Sequence, residues 1–242
     1  MEVYQGLLRL LDVWFKYPGS GRYVLEGFNL EVGRKELVLL RGPNGSGKTT
    51  VLLIAGGLLE PEKGVVEFNG KPLKQQLPEA RRFIGLLFQN PEVMLFNPTV
   101  YDEILFVPRQ LHKDRNLLDK LAKDSIRLVG LPDRFLKRRV HELSYGEKKL
   151  VALASVISFN PHILLLDEPF EGLSKVARER VACIIKIFLE KGAGILLATH
   201  EAPLELIGLE TRVVELGREK DLENSIQGFS DSGCYANPAN RA

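Results

Sequence analysis

The stretch Gly42-Pro-Asn-Gly-Ser-Gly-Lys-Thr-Thr50 constrains this chain more than any other. It matches the pattern G-x-x-x-x-G-K-[ST] and stands between two apolar runs, Leu37–Leu40 and Val51–Leu59. Glycines at these places let the backbone curl until successive N–H groups point at one anion. A helix starting there adds its positive end. The pattern predicts a strand, a phosphate-binding turn and a helix, in that order. Lys48 supplies a mobile charge for the outer phosphates and Thr49 a hydroxyl for Mg²⁺. A chance glycine-rich turn would need neither flank.

The remaining apolar runs fit a sheet around that turn. Glu36–Leu40, Ile84–Phe88, Ile163–Leu166 and Gly194–Thr199 are short, apolar and bounded by Gly, Asp, Gln or His. Buried strands alternating with helices make an α/β sheet whose ligands gather at the strand C-termini. Leu7–Tyr17, Phe28–Val32 and Gly64–Phe68 read as further strands, antiparallel and to one side. Between Pro91 and Glu142 the texture becomes helical. Asn116–Val129 places Leu118, Leu121, Ala122, Ser125, Leu128 and Val129 on one face, with Asp114 as N-cap and Gly130 and Pro132 as stop signals. The basic residues of this insertion, Lys113, Arg115, Lys120, Lys123, Arg127, Arg134, Lys137, Arg138 and Arg139, read as a solvated surface or as a partner- or membrane-facing patch. From about Asp221 the chain is too poor in apolar residues to build its own core.

Composition excludes several classes of function. A net charge of +2 gives no case for nucleic acid as the main partner. No run approaches the roughly 20 apolar residues of a membrane-spanning helix, and Glu2 and Arg9 flank too brief a patch for a signal peptide. A cytoplasmic chain that meets a membrane only by docking is the expectation. The two cysteines lack metal-ligand spacing and suit a reducing compartment, with Cys183 expected in the core and Cys234 in the polar tail.

A second chemical element is Ile163-Leu-Leu-Leu-Asp-Glu168, a buried strand ending in two acids. Alone, such a pair is as readily a loop start. On the same sheet as a phosphate loop, Asp167 is placed to hold Mg²⁺ through its waters. Glu168 is then placed to polarise the water that attacks a γ-phosphate.

Leu143-Ser-Tyr-Gly-Glu-Lys-Lys149 narrows the family. It resembles the signature L-S-G-G-Q/E of ATP-binding-cassette (ABC) ATPases, with Tyr145 in place of the first glycine. The same residues also read as a capping box, Ser144 at the N-cap and Glu147 at N3 of a helix Lys148–Phe159, and both readings can hold. The resemblance covers roughly residues 7–217. It implies an α/β P-loop NTPase fold, a RecA-like core with an antiparallel β-subdomain and a helical subdomain. The ABC ATPase domain would span 1–217, the helical subdomain about 91–160, and a polar tail 218–242.

The resemblance also assigns roles. Tyr17 matches the aromatic that stacks on adenine, although a surface tyrosine would look the same. Gly42, Pro43, Asn44, Gly45, Ser46, Gly47, Lys48, Thr49 and Thr50 would bind ATP. Gln89 would sense Mg²⁺ beside Thr49 and Asp167 and couple to membrane subunits. His200 would touch the γ-phosphate, which makes Glu168, His200 and Gln89 the catalytic set. Two such chains meet head to tail, so Ser144, Tyr145, Gly146 and Glu147 would serve the ATP bound opposite.

Gln89-Asn-Pro-Glu-Val-Met-Leu-Phe96, followed by Pro98-Thr-Val and Asp102-Glu, looks like a segment of energy-coupling-factor and cobalt-type importer ATPases. Met94 stands where many members have glutamine. Partners of that branch are a transmembrane coupling subunit and a substrate-capturing membrane subunit for vitamins or metal ions. After Glu168-Pro-Phe the family usually reads G-L-D, whereas here it is Gly172-Leu-Ser174. Serine cannot carry that interface charge, which favours a second, non-identical ABC ATPase as partner over a homodimer. The rivals are a soluble ABC ATPase acting on nucleic acid or ribosomes, and a nucleotide-binding regulator without turnover.

Overall fold

The computed structural model describes residues 7–200 and 203–217; the polar tail, Cys234 and the opening hexapeptide lie outside them. In chain order the elements are β1 (Leu8–Phe15), β2 (Leu25–Val32), β3 (Leu37–Arg41), α1 (Lys48–Ala55), β4 (Lys63–Phe68), β5 (Lys71–Pro72), α2 (Leu73–Gln76) and β6 (Ile84–Leu87). Four helices follow, α3 (Val100–Ile104), α4 (Pro108–Leu111), α5 (Arg115–Leu128) and α6 (Tyr145–Ile157). The chain then returns to β7 (Ile163–Asp167), α7 (Lys175–Glu190), β8 (Gly194–Thr199) and β9 (Thr211–Glu215).

Two sheets result. An antiparallel sheet runs β2-β1-β4-β5, and a parallel sheet runs β6-β7-β8-β3-β9. Strand side chains alternate between faces, so an all-apolar strand must be buried on both. Leu37, Leu39, Leu164, Leu166, Ile195 and Leu197 pack with the helices α3, α5, α6 and α7. Their neighbours Val38, Leu40, Ile163, Leu165, Leu196 and Ala198 pack with α1 and the antiparallel sheet. The parallel register sets Leu40 beside Ala198 and Asp167 beside Ala198 as well, from opposite sides of β8. The segments leaving β3, β6, β7 and β8 therefore emerge along one edge.

Several boundaries differ from expectation for local reasons. α1 stops at Ala55 rather than Leu59, because Gly56 caps it and Gly57 has a left-handed φ of +69°. α6 begins at Tyr145, as its Ser144–Glu147 capping box dictates, and not at Lys148. β2 starts at Leu25, before the expected Phe28, and β9 was not foreseen, since its apolar content is only Val213 and Val214. α5 has its expected Asp114 cap, accepting from the N–H of Asn116 at 2.8 Å, and it buries Ala122, Ser125 and Ile126. Its basic residues are exposed, Arg127 forming a bidentate pair with Asp133. Cys183 is a correction: it is exposed on α7. The buried face there is Val181, Ala182, Ile184, Ile185 and Phe188, and the helical period turns residue 183 away from it.

Candidate functional site

The turn Gly42–Gly47 leaves β3 and runs straight into α1. Its glycines take conformations that side chains resist, Gly45 at φ +81° and Gly47 at φ +101°. A Cβ on Gly47 would also stand 2.8 Å from Val24 Cγ1. No side chain caps α1, so its first N–H groups are left for an incoming acceptor. Lys48 is buried and donates to the carbonyls of Gly42 (2.7 Å) and Pro43 (3.1 Å), which holds its ammonium over the turn. Ser46 Oγ is buried in the same turn with no partner of its own. An uncapped helix start, a buried cation and an orphaned hydroxyl at one point fit a phosphate group.

Around that point the structure collects most of the residues singled out in the sequence. Tyr17, Asn44, Gly45, Gly47, Lys48, Thr49, Thr50, Gln89, Asp167 and Glu168 line one cavity of about 360 Å³ with Val24. Tyr17 lies two residues beyond β1, its hydroxyl 2.9 Å from Thr50 Oγ1 and its ring edge-on to Phe15. That bond keeps the half-exposed ring beside the start of α1. Thr49 donates to Asp167 Oδ2 at 2.7 Å, joining the phosphate turn to the end of β7. Burial pushes the Asp167 carboxyl above its ordinary value, and the Thr49 hydroxyl pulls it partly back.

Glu168 follows in a left-handed conformation, φ +44°, its N–H bonded to the Ala198 carbonyl at 2.9 Å. Its Oε1 lies 2.8 Å from His200 Nδ1, so the ends of β7 and β8 meet through their side chains. Gln89, just past β6, donates to Glu171 Oε2 at 2.9 Å. Ser174 caps α7, accepting from the Ala177 N–H at 3.4 Å. Serine thus keeps the capping role open to an aspartate there and lacks only the charge.

The second group of candidates forms a separate place. Ser144 Oγ accepts from the Glu147 N–H (3.3 Å), and Glu147 Oε2 accepts from the Ser144 N–H (2.8 Å). That backbone N–H holds the Glu147 carboxyl below its usual range, with help from Arg138. Tyr145 points into its own chain: its hydroxyl donates to the Gln89 carbonyl at 3.3 Å. Its ring lies against Gly172, where a Cβ would come within 2.7 Å of Tyr145 Cε1. Gly146 faces the same turn without crowding. None of these four residues lines the cavity at α1.

Three contributors were not foreseen: Val24, Glu171 and Lys149. Val24 and Glu171 carry no motif. Lys149 did carry a signal, because it interrupts the apolar face Ala152, Leu153 and Val156 of α6 at helical spacing.

Comparison with known proteins agrees with this geometry. The family model described as ABC transporter matches residues 25–171. The energy-coupling factor transporter ATP-binding protein EcfA of Methanocaldococcus jannaschii is 38% identical over 196 residues, 80% of this chain and 70% of that protein. Among solved structures, cbiO1 from Clostridium perfringens, described as part of the ABC transporter complex cbiONQ, superposes with a TM-score of 0.74 at 26% identity. The match covers 93% of this chain and 96% of that one. A dimeric bacterial ABC transporter cassette superposes with a TM-score of 0.79 at 26% identity, covering 87% and 97%. A phosphate turn feeding an uncapped helix, an acid pair ending a strand of the same sheet, and a family match across both place this chain in the ABC transporter family, as an ATP-binding ATPase subunit.

Proposed function

We propose that this chain is the ATP-hydrolysing subunit of an energy-coupling-factor type importer, bound peripherally at the cytoplasmic face of a membrane. The observation that carries the catalytic part is the convergence of Lys48, the Thr49–Asp167 pair and Glu168 on one cavity, with His200 bonded to Glu168 from outside its lining. Gly42–Thr50 with Tyr17 would seat ATP, and Thr49, Asp167 and Gln89 would hold Mg²⁺. When bound, Mg²⁺ would neutralise charge on the outer phosphates. Lys48 offers its ammonium to those phosphates. Glu168, fixed by Ala198 and His200, takes the proton from the attacking water, and His200 holds the carboxylate in aim. Ser144, Tyr145, Gly146 and Glu147 would meet the ATP of a second cassette, a reading that needs a pair of cassettes such as the dimeric neighbour forms.

Likeness to the EcfA and cbiO1 proteins supports the importer branch, with a coupling subunit and a substrate-capturing subunit in the membrane. A surface on this chain suits that contact. Val93 and Phe96 are each 67% exposed and Phe106 44%, with the Phe96 and Phe106 rings edge to face at 4.8 Å. Buried Glu103 accepts from the N–H groups of Phe96 (3.1 Å) and Asn97 (2.8 Å), which presents Phe96 outward. Among the described residues no helix is long and apolar enough to cross a membrane. Ser174 in place of the interface aspartate supports a non-identical ABC ATPase as the second copy.

Membranes carrying the full chain with its partners test the two surfaces separately. ATP at about 100 times Kd is expected to stabilise the chain by roughly 2.7 kcal/mol. At roughly 2–4 °C per kcal/mol, melting rises by several degrees. Lys48→Ala should abolish most of that rise while leaving the chain on the membrane. Val93→Asp with Phe96→Asp should release the chain and keep the rise; Leu95 packs against the core and is left intact. The opposite pattern in either variant contradicts the assignment of that surface.

A further inference from the structure

Lys149 is a lysine where a leucine would pack. It is 1% exposed on α6, behind the end of β7. Burying an ammonium is costly, and apolar residues of similar volume often replace buried charges without loss of stability. Burial pulls the Lys149 ammonium toward neutrality, and the carboxylates of Glu171, Glu168 and Asp167 hold it charged. Its Nζ donates to the Glu168 carbonyl at 2.6 Å and to the Glu171 carbonyl at 3.0 Å. Glu168 itself sits at φ +44°, a left-handed conformation that a non-glycine residue resists and that persists only where its surroundings impose it. The Glu168 N–H is tied to β8 through Ala198, and its carbonyl is tied to α6 through Lys149. Both backbone groups flanking the strained Cα are therefore fixed, from different elements.

We infer that Lys149 is a positioning residue for Glu168: its buried ammonium clamps the backbone from Glu168 to Glu171, and so sets the aim of the Glu168 carboxylate at the attacking water. The inference rests on the proposed role of Glu168. An error of about 1 Å in such a group can cost about 100-fold in rate with little effect on binding.

The test uses the full chain in the assembly in which it turns over Mg·ATP, with kcat, KM and nucleotide Kd measured together. Lys149→Met keeps length and apolar volume but removes every donor. It should lower kcat by about 10- to 100-fold and leave nucleotide Kd within about twofold. Combined with Glu168→Gln it should lower the residual rate no further, because the aim of a carboxylate that is gone no longer matters. Lys149→Gln, too short to reach both carbonyls, should lose several-fold in kcat with Kd unchanged. It decides the matter if Lys149→Met does not fold. Wild-type kcat in the foldable variant overturns the inference. So does an equal fractional loss in the wild-type and Glu168→Gln backgrounds, which would mark a general structural effect. A fully active Glu168→Gln would instead overturn the role of Glu168, and the inference with it.

Discussion

The starts of α1 and α6 are the same physical object put to opposite uses. Both helices begin with an N–H bonding back to the cap residue, Val51 to Gly47 at 2.9 Å and Lys148 to Ser144 at 2.8 Å. At α1 the cap is a left-handed glycine with no side chain, and the nearest hydroxyl, on Ser46, is buried and unpartnered. At α6 the cap is closed on itself, with Ser144 and Glu147 each satisfying the other's backbone. A helix start that leaves its donors open gives up stability to hold an anion, whereas one that closes them gains stability from within the chain. The α1 end reads as a pocket for phosphate, and the α6 end as a rigid rim presented to something outside this chain.

The largest effect that would sharpen the contrast belongs to Asp167, which flanks the open end. A carboxyl whose folded pKa lies above its unfolded value favours the fold only while protonated. That contribution is full below the unfolded pKa and is lost as pH rises through the folded one. Above that interval the ionised, buried Asp167 therefore weakens the fold. Asp167→Asn should lower Mg²⁺-dependent turnover by at least about 100-fold, in the range for losing a group that acts at the transferring phosphate. It should also raise the melting temperature of the nucleotide-free chain. That gain should shrink as pH is taken below the usual aspartate range. A lower melting temperature at neutral pH would show that the Thr49 bond outweighs burial.

At the closed end the effect is smaller and of opposite sign. Ser144→Ala removes one cap acceptor, which costs about 1 kcal/mol and so roughly 2–4 °C of melting temperature. Glu147 adds a pH signature. Its carboxyl is depressed in the folded chain, so its contribution is present above the ordinary glutamate range and lost as pH falls through the depressed value. The cost of Glu147→Gln should narrow over that acidic interval. An unchanged melting temperature would mean that α6 does not depend on its cap.

Much of this was legible because the residues concerned sit in strong local patterns. The open end is written in Gly42–Thr50, and the sheet edge in Ile163–Glu168 and Gly194–His200. The closed end follows from Ser144 and Glu147 three residues apart. What the sequence concealed came from tertiary contact. Cys183 looked apolar in its run, yet the rotation of α7 set by Val181, Ile184, Ile185 and Phe188 turns it outward. β9 gains its place by pairing with β3, not from its own composition. Gln89 reaches Glu171 across 82 positions, and Tyr145 reaches Gly172 from the far side of α6 and β7. No spacing rule joins such partners.

That Glu168 acts on water while the start of α1 holds the nucleotide is the proposal most open to direct test. Glu168→Gln keeps shape and removes the charge, so one sample should show two results. ATP binding, followed by the rise in melting temperature, should match the wild type. Steady-state Mg·ATP turnover should fall by about 10²–10⁴-fold, the range for losing a general base. Turnover at the wild-type rate, or loss of ATP binding along with turnover, would contradict it.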